Sequence, residues 1–174
     1  MLGVTAAYAA GTHALRHSPE EALHLVEYGV LSWLLFRALQ HRLRDPAVYV
    51  AAALLCAMLG TVDELIQWVV PRRFWDFRDL AINASAGVLM QVALARGFRP
   101  AQIVGPARAR TVRFACRLAS VWLLILLACA SNTPAGLAAL QARLPFLRGL
   151  NETMIEFGYR HDDPVAGTFF SRLS

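Results

Sequence analysis

A chain of 174 residues is long enough for one domain, or for one compact body with a short appendage. Its residues are 57% hydrophobic and only 17% charged, and its mean hydropathy is +0.44. An average soluble domain is about 45–50% apolar, so this composition excludes a disordered or collagen-like chain and argues against a water-soluble globule. The net charge is +5, and all 17 basic residues are Arg. These arginines flank long apolar blocks instead of lining one face, which is the pattern of a membrane protein and not of a nucleic-acid binder.

Residues 1–15 are small and apolar without a basic start, and fall short of the roughly 20 residues needed to cross the hydrocarbon core. They are read as a marginal first helix. Ser18-Pro19-Glu20-Glu21 then opens a second helix that runs to Leu39 and breaks at Arg42, Arg44 and Asp45-Pro46. A third runs from Ala47 to Val70 and ends at Pro71-Arg72-Arg73. A fourth starts at Asp79, with Phe74, Trp75 and Phe77 extending it toward the interface. The loop over 97–106 carries two Gly and two Pro, and a fifth helix is expected from Val112 to Ala130. Beyond Pro134 a short amphipathic stretch and a polar tail follow. Cys56, Cys116 and Cys129 all fall in apolar runs, and are expected as packed thiols outside any disulfide framework or metal site.

The expected fold is therefore an all-α polytopic transmembrane helix bundle of four to five spans, with a membrane domain over 1–130 and an extracytoplasmic C-terminal tail over 131–174. Orientation follows from the arginines. The loops after the second and fourth helices hold Arg37, Arg42, Arg44, Arg96, Arg99, Arg108, Arg110 and Arg113, which assigns them to the cytoplasm by the positive-inside rule. The opposite ends of the helices then face outward.

At those outer ends lie the residues that a bilayer tolerates least. His24 and Glu27 sit three apart on the second helix, Asp63, Glu64 and Gln67 within one turn on the third, and Asp79, Asn83 and Gly87 at four-residue spacing on the fourth. Arg73 lies in the connection. An ionisable side chain at depth costs about 2.5–3.5 kcal/mol on insertion scales, so these groups should pair with one another or with a ligand in one outward-facing polar pocket. Each has a plain alternative: an interfacial His24, an Asp79 that caps its helix, amides at Gln67 and Asn83 that glue helices together. Gly60 and Gly87 read as close-packing points.

The blocks HLVEYGVLSWLL at 24–35 and TVDELIQWVVPRRFWDFRDLAINASAGVL at 61–89 resemble the VanZ-like family of bacterial integral membrane proteins. The more specific block reads Asp-Glu-x-x-Gln, Val-Pro-x-Arg and then Asp-x-x-x-Asn-x-x-x-Gly, and the resemblance covers about residues 20–95. It implies a multi-pass protein of the bacterial inner membrane and a phenotype class, low-level resistance to the glycopeptide teicoplanin. Its functional candidates on this chain are His24, Glu27, Asp63, Glu64, Gln67, Arg73, Asp79 and Asn83. The GTFFSRLS end is similar to extracytoplasmic segments that follow such domains in longer proteins, so the chain is read as either a fragment or a stand-alone version.

Three functions are weighed. In the first, Asp63, Gln67, Arg73 and Asn83 bind a cell-envelope lipid or wall precursor. In the second, His24, Glu27, Glu64 and Asp79 carry acid–base chemistry in an intramembrane hydrolase or group-transfer enzyme acting on a lipid-linked substrate. The third, ranked last, is a proton-coupled carrier or an assembly partner. No cofactor is expected; one His with several carboxylates would suit Mg²⁺, Mn²⁺ or Zn²⁺, but no His-rich spacing supports a metal. The expected partners are the lipid bilayer and that envelope lipid, and not nucleic acid.

Overall fold

A computed structural model gives the fold and describes residue 10 and residues 19–69, 75, 77–131, 134–145, 158–163 and 167–172. Its long helices are α1 (Pro19–Leu39), α2 (Ala47–Val69), α3 (Phe77–Val92) and α4 (Ala109–Ala130), followed by the short α5 (Pro134–Arg143). Among the described residues four helices are long and apolar enough to cross a membrane, α3 reaching that length through a π-helical continuation over Ala93–Phe98. The expected all-α membrane bundle is therefore present. Apart from residue 10, the marginal stretch at 1–15 lies outside the described residues, as does Arg73.

The chain divides into two compact units, one of residues 1–66 and 76–124, the other of 67–75 and 125–174. In the first unit, three rows of residues at four-residue spacing face inward. On α1 the row is His24, Tyr28, Ser32 and Phe36; on α2 it is Val48, Ala52, Cys56, Gly60 and Glu64; on α3 it is Asn83, Gly87 and Gln91. Apart from half-buried His24, every one of these is buried. Residues four apart lie one above another on a helix, so each row forms a ridge that can lie against a neighbour's groove.

Small residues set how closely the ridges approach. A Cβ added at Gly87 would stand 3.0 Å from Cys56 Sγ, and one at Gly60 would stand 3.0 Å from Asn83 Cβ and 3.1 Å from Tyr28 Cε1. Both glycines thus take the close-packing role expected of them. At that approach the polar members can bond across helices. Ser32 Oγ donates to the Gly87 carbonyl at 3.0 Å, Gln91 Nε2 donates to the Ser32 carbonyl at 2.9 Å and to its Oγ at 2.7 Å, and Cys56 Sγ donates to the Tyr28 carbonyl at 3.3 Å.

The Arg-rich end is closed by a second set of bonds. Asp45, 1% exposed, accepts from the Ala47 N–H at 3.1 Å and from Thr111 Oγ1 at 2.6 Å. It caps the start of α2, with Pro46 in the first turn, and ties that start to α4. Gln102 donates to Gln40, and the Val104 N–H donates to the Arg44 carbonyl at 3.1 Å, joining the two arginine-bearing loops. Phe36 stacks on Tyr49 with ring centroids 5.3 Å apart above them.

Three features depart from the sequence reading. The helix from Phe77 runs into the loop expected over 97–106 as a π-helical turn that reaches Phe98, closed where Arg99 adopts a left-handed φ of 43° and its N–H donates to the Leu94 carbonyl at 2.9 Å. Cys116 is exposed on α4, whereas Cys56 and Cys129 are buried as expected, and all three thiols are free. The second unit contains, besides α5, an antiparallel hairpin of β1 (Gly158–Asp163) and β2 (Gly167–Arg172), with Gly158 opposite Arg172 and Asp163 opposite Gly167. That stretch lacks the apolar–polar alternation by which a strand is usually read.

Candidate functional site

The inward rows carry their polar residues at the end of the first unit opposite the arginine loops. Helix α1 contributes His24 and Tyr28, one turn apart and stacked with ring centroids 6.0 Å apart and planes 10° from parallel. Helix α2 contributes Thr61, Asp63 and Glu64, and α3 contributes Asn83. Because Gly60 has no side chain, Asn83 reaches the centre of the three helices, where it is fully buried.

Two bonds knit the cluster. His24 Nδ1 lies 3.2 Å from Asn83 Oδ1, and Tyr28 donates from its hydroxyl to Asp63 Oδ2 at 3.2 Å. With Asn83 Oδ1 accepting, a neutral His24 carries its proton on Nδ1 and presents Nε2 as an acceptor. Glu64 is fully buried and lies within electrostatic reach of the Tyr28 phenol. Thr61 Oγ1 donates to the Ala57 carbonyl at 2.9 Å and accepts from Trp122 Nε1 at 2.9 Å, which brings α4 against the cluster.

One donor is left over. Among the described residues Asn83 Nδ2 is buried and meets no acceptor, and Gln91 Oε1, two turns further along α3, is a buried acceptor that meets no donor. A buried polar group without a partner costs on the order of 1–3 kcal/mol in proteins, and more in hydrocarbon where water cannot enter. At the centre of three helices, that donor is completed only by an acceptor oxygen admitted between them, from water or from a ligand.

The residues singled out in the sequence divide into four groups. His24, Asp63, Glu64 and Asn83 are gathered in the first unit, within one or two turns of one another. Asp79 is half-buried in the first turn of α3, where its charge suits the helix dipole, one turn before Asn83. Glu27 is exposed on α1, and no hydrogen bond reaches it among the described residues. Gln67 is half-buried and belongs to the second unit, and Arg73 is outside the described residues. Among the described residues no three His, Cys, Asp or Glu side chains form a metal-ligand group.

Tyr28, Thr61 and Trp122 were missed as participants, as were Ser32 and Gln91 one layer deeper. The four-residue spacing carries the signal. Extending Asp79-Asn83-Gly87 by one step reaches Gln91, and extending His24 by two steps reaches Tyr28 and Ser32.

The family model described as VanZ/LLP1 matches residues 7–99, a stretch that contains α1, α2, α3 and every member of the cluster except Trp122. Neither a curated protein nor a solved structure matches the chain.

Proposed function

We propose that this chain, which belongs to the VanZ/LLP1 family and is a multi-pass membrane protein, binds the polar head of a cell-envelope lipid or lipid-linked wall precursor at the His24–Asn83 end of its bundle. The observation that carries the reading is the open Nδ2 donor of fully buried Asn83, set beside the Tyr28 hydroxyl, the His24 imidazole and two carboxylates. Phosphate, carbonyl and hydroxyl oxygens of a lipid head would accept from Asn83, and sugar or peptide hydroxyl and amide groups would donate to Asp63 and Glu64. The positive-inside rule puts the arginine loops in the cytoplasm of a bacterial cell and this end outside, where such precursors are consumed. A role in glycopeptide susceptibility, including to teicoplanin, follows from capture of a wall precursor at that surface.

The test pairs binding with phenotype. Purified protein in nanodiscs is titrated with a lipid-linked wall precursor and with phosphatidylcholine, and cells expressing the same variants are challenged with teicoplanin. Asn83→Leu and Glu64→Gln should each weaken precursor binding by about tenfold or more, the value of one hydrogen bond to a charged group. They should also abolish any change in susceptibility that the parent chain confers. Unchanged binding and unchanged susceptibility in both variants would refute the proposal.

A second reading is favoured by the orientation of His24. An imidazole held through Nδ1, with Nε2 directed elsewhere, is arranged as a general base, and Glu64 would be the second group of an intramembrane hydrolase or transferase. Turnover of a labelled lipid-linked substrate that disappears in His24→Gln would establish this reading; binding without turnover would leave the first.

A further inference from the structure

A second feature of the first unit lies between the cluster and the arginine loops. Helices α2, α3 and α4 leave a cleft of about 370 Å³, within the range of small-molecule sites. Its walls include Ala53 and Ala57 of α2, Ala84 and Val88 of α3, Trp122 of α4 and, at one end, Arg96. Alanine is what opens it, since Ala53, Ala57 and Ala84 stand where larger side chains would close the gap. Trp122 spends its N–H on Thr61, so it offers the cleft only its ring. The surface that faces the cleft is apolar, Arg96 lending it only the aliphatic stem while its guanidinium lies beyond the rim.

We infer that this cleft holds one acyl chain of an anionic phospholipid, with the lipid phosphate at Arg96. Three observations commit the occupant. First, the cleft lies between helices that cross a bilayer, where the apolar material at hand is lipid chain. Second, Ala84 and Arg96 are twelve residues apart, about 18 Å at 1.5 Å per residue, close to the ~15 Å of hydrocarbon in one leaflet. Third, the charge is complementary. The Arg96 guanidinium is exposed and makes no bond among the described residues, and the bond from Val104 to Arg44 draws the neighbouring arginine loops together at the same end. An arginine at head-group depth fits a phosphate oxygen pair better than it fits a neutral surface. The bound lipid therefore belongs to the leaflet on the arginine side, opposite the His24–Asn83 cluster, and the inference stands or falls independently of what that cluster binds.

Native mass spectrometry of the full chain, released from nanodiscs of equimolar phosphatidylglycerol and phosphatidylcholine with identical acyl chains, reads the occupant directly. The parent chain should retain one phosphatidylglycerol, preferred about fivefold over phosphatidylcholine, whose own ammonium offsets the phosphate charge that Arg96 meets. Arg96→Gln should bring the two lipids to near parity, and the change sits on an exposed side chain where the fold does not depend on it. Val88→Trp, or independently Val50→Trp from the other wall, should fill the cleft and lose the retained lipid of either kind. Equal retention of the two lipids by the parent chain, an undiminished preference in Arg96→Gln, or full retention in the filling variants would each overturn the inference.

Discussion

The two ends of the first unit treat buried polar groups in opposite ways. At the arginine end, Asp45 is 1% exposed and both its carboxylate oxygens accept a hydrogen bond, one from the chain's own Ala47 N–H and one from Thr111. At the other end, Asn83 is equally buried, its bond to His24 is 3.2 Å long, and its amide donor has no acceptor. A buried group that is fully bonded locks elements together, and evolution has no need to leave it open. A buried group that is half bonded lowers stability unless something completes it. The contrast separates a clamp from a binding site without reference to residue type, since the clamp contains the acid and the open site turns on a neutral amide.

The largest expected effect is at the clamp. Asp45→Ala removes a helix cap and a charged hydrogen bond together, and should cost about 2–4 kcal/mol, read as a fall in the unfolding midpoint in mild detergent. Thr111→Val removes only one of the two bonds and should cost about half as much. Precursor binding by the protein that remains folded should be unchanged in both. If Asp45→Ala were silent for stability, the distinction between the two ends would fail at its simpler side.

Next in size are the glycines that bring the ridges together. Gly87→Ala places a methyl group 3.0 Å from Cys56 Sγ and 3.1 Å from its Cβ. Overpacking of this kind costs about 1–3 kcal/mol, here with loss of the Ser32–Gly87 bond that depends on the same approach. Gly60→Ala meets Asn83 Cβ and Tyr28 Cε1 at like distances, but its strain falls on the open cluster. It should therefore lower binding more than Gly87→Ala does for a similar loss of stability, measured as the ratio of the two effects in each variant.

How much of this was written in the sequence follows from what a bilayer tolerates. The four long helices were legible because runs of apolar residues with arginines at their ends have few other readings, and their boundaries followed Pro19, Pro46 and Pro71. His24, Asp63, Glu64 and Asn83 were legible because charged and amide groups at depth are costly enough to demand partners. Ser32, Cys56 and Thr61 were not, because small neutral residues occur throughout membrane helices and their bonds depend on which helix stands opposite. Glu27 shows the limit of the spacing argument. Three residues from His24 places it on nearly the same side of α1, yet it is also about 100° around the helix from Tyr28, and the ridge that packs inward runs His24-Tyr28-Ser32, leaving Glu27 outside. Asp45-Pro46 was visible as a break, but its second role, holding α4 through Thr111, involves a contact 66 residues away that no local pattern encodes.

The smallest stability change, and the one that bears most on function, is expected at Asn83. Leucine matches asparagine in branching and in number of side-chain heavy atoms, so Asn83→Leu keeps the Cβ packing against Gly60 while removing both the His24 bond and the unmatched donor. The lost bond is worth about 0.6 kcal/mol by the average for side chains between membrane helices, and removing an unsatisfied group returns a comparable amount. The unfolding midpoint should therefore stay close to that of the parent chain, well within the shift seen for Asp45→Ala. Binding at the cluster should nevertheless fall by about tenfold or more, because the donor that a ligand would complete is gone. A residue whose removal leaves stability level and weakens recognition is held in place by its ligand and not by its fold. If Asn83→Leu instead destabilised the chain as strongly as Asp45→Ala, Asn83 would be a second clamp, and the two ends of the bundle would differ only in degree.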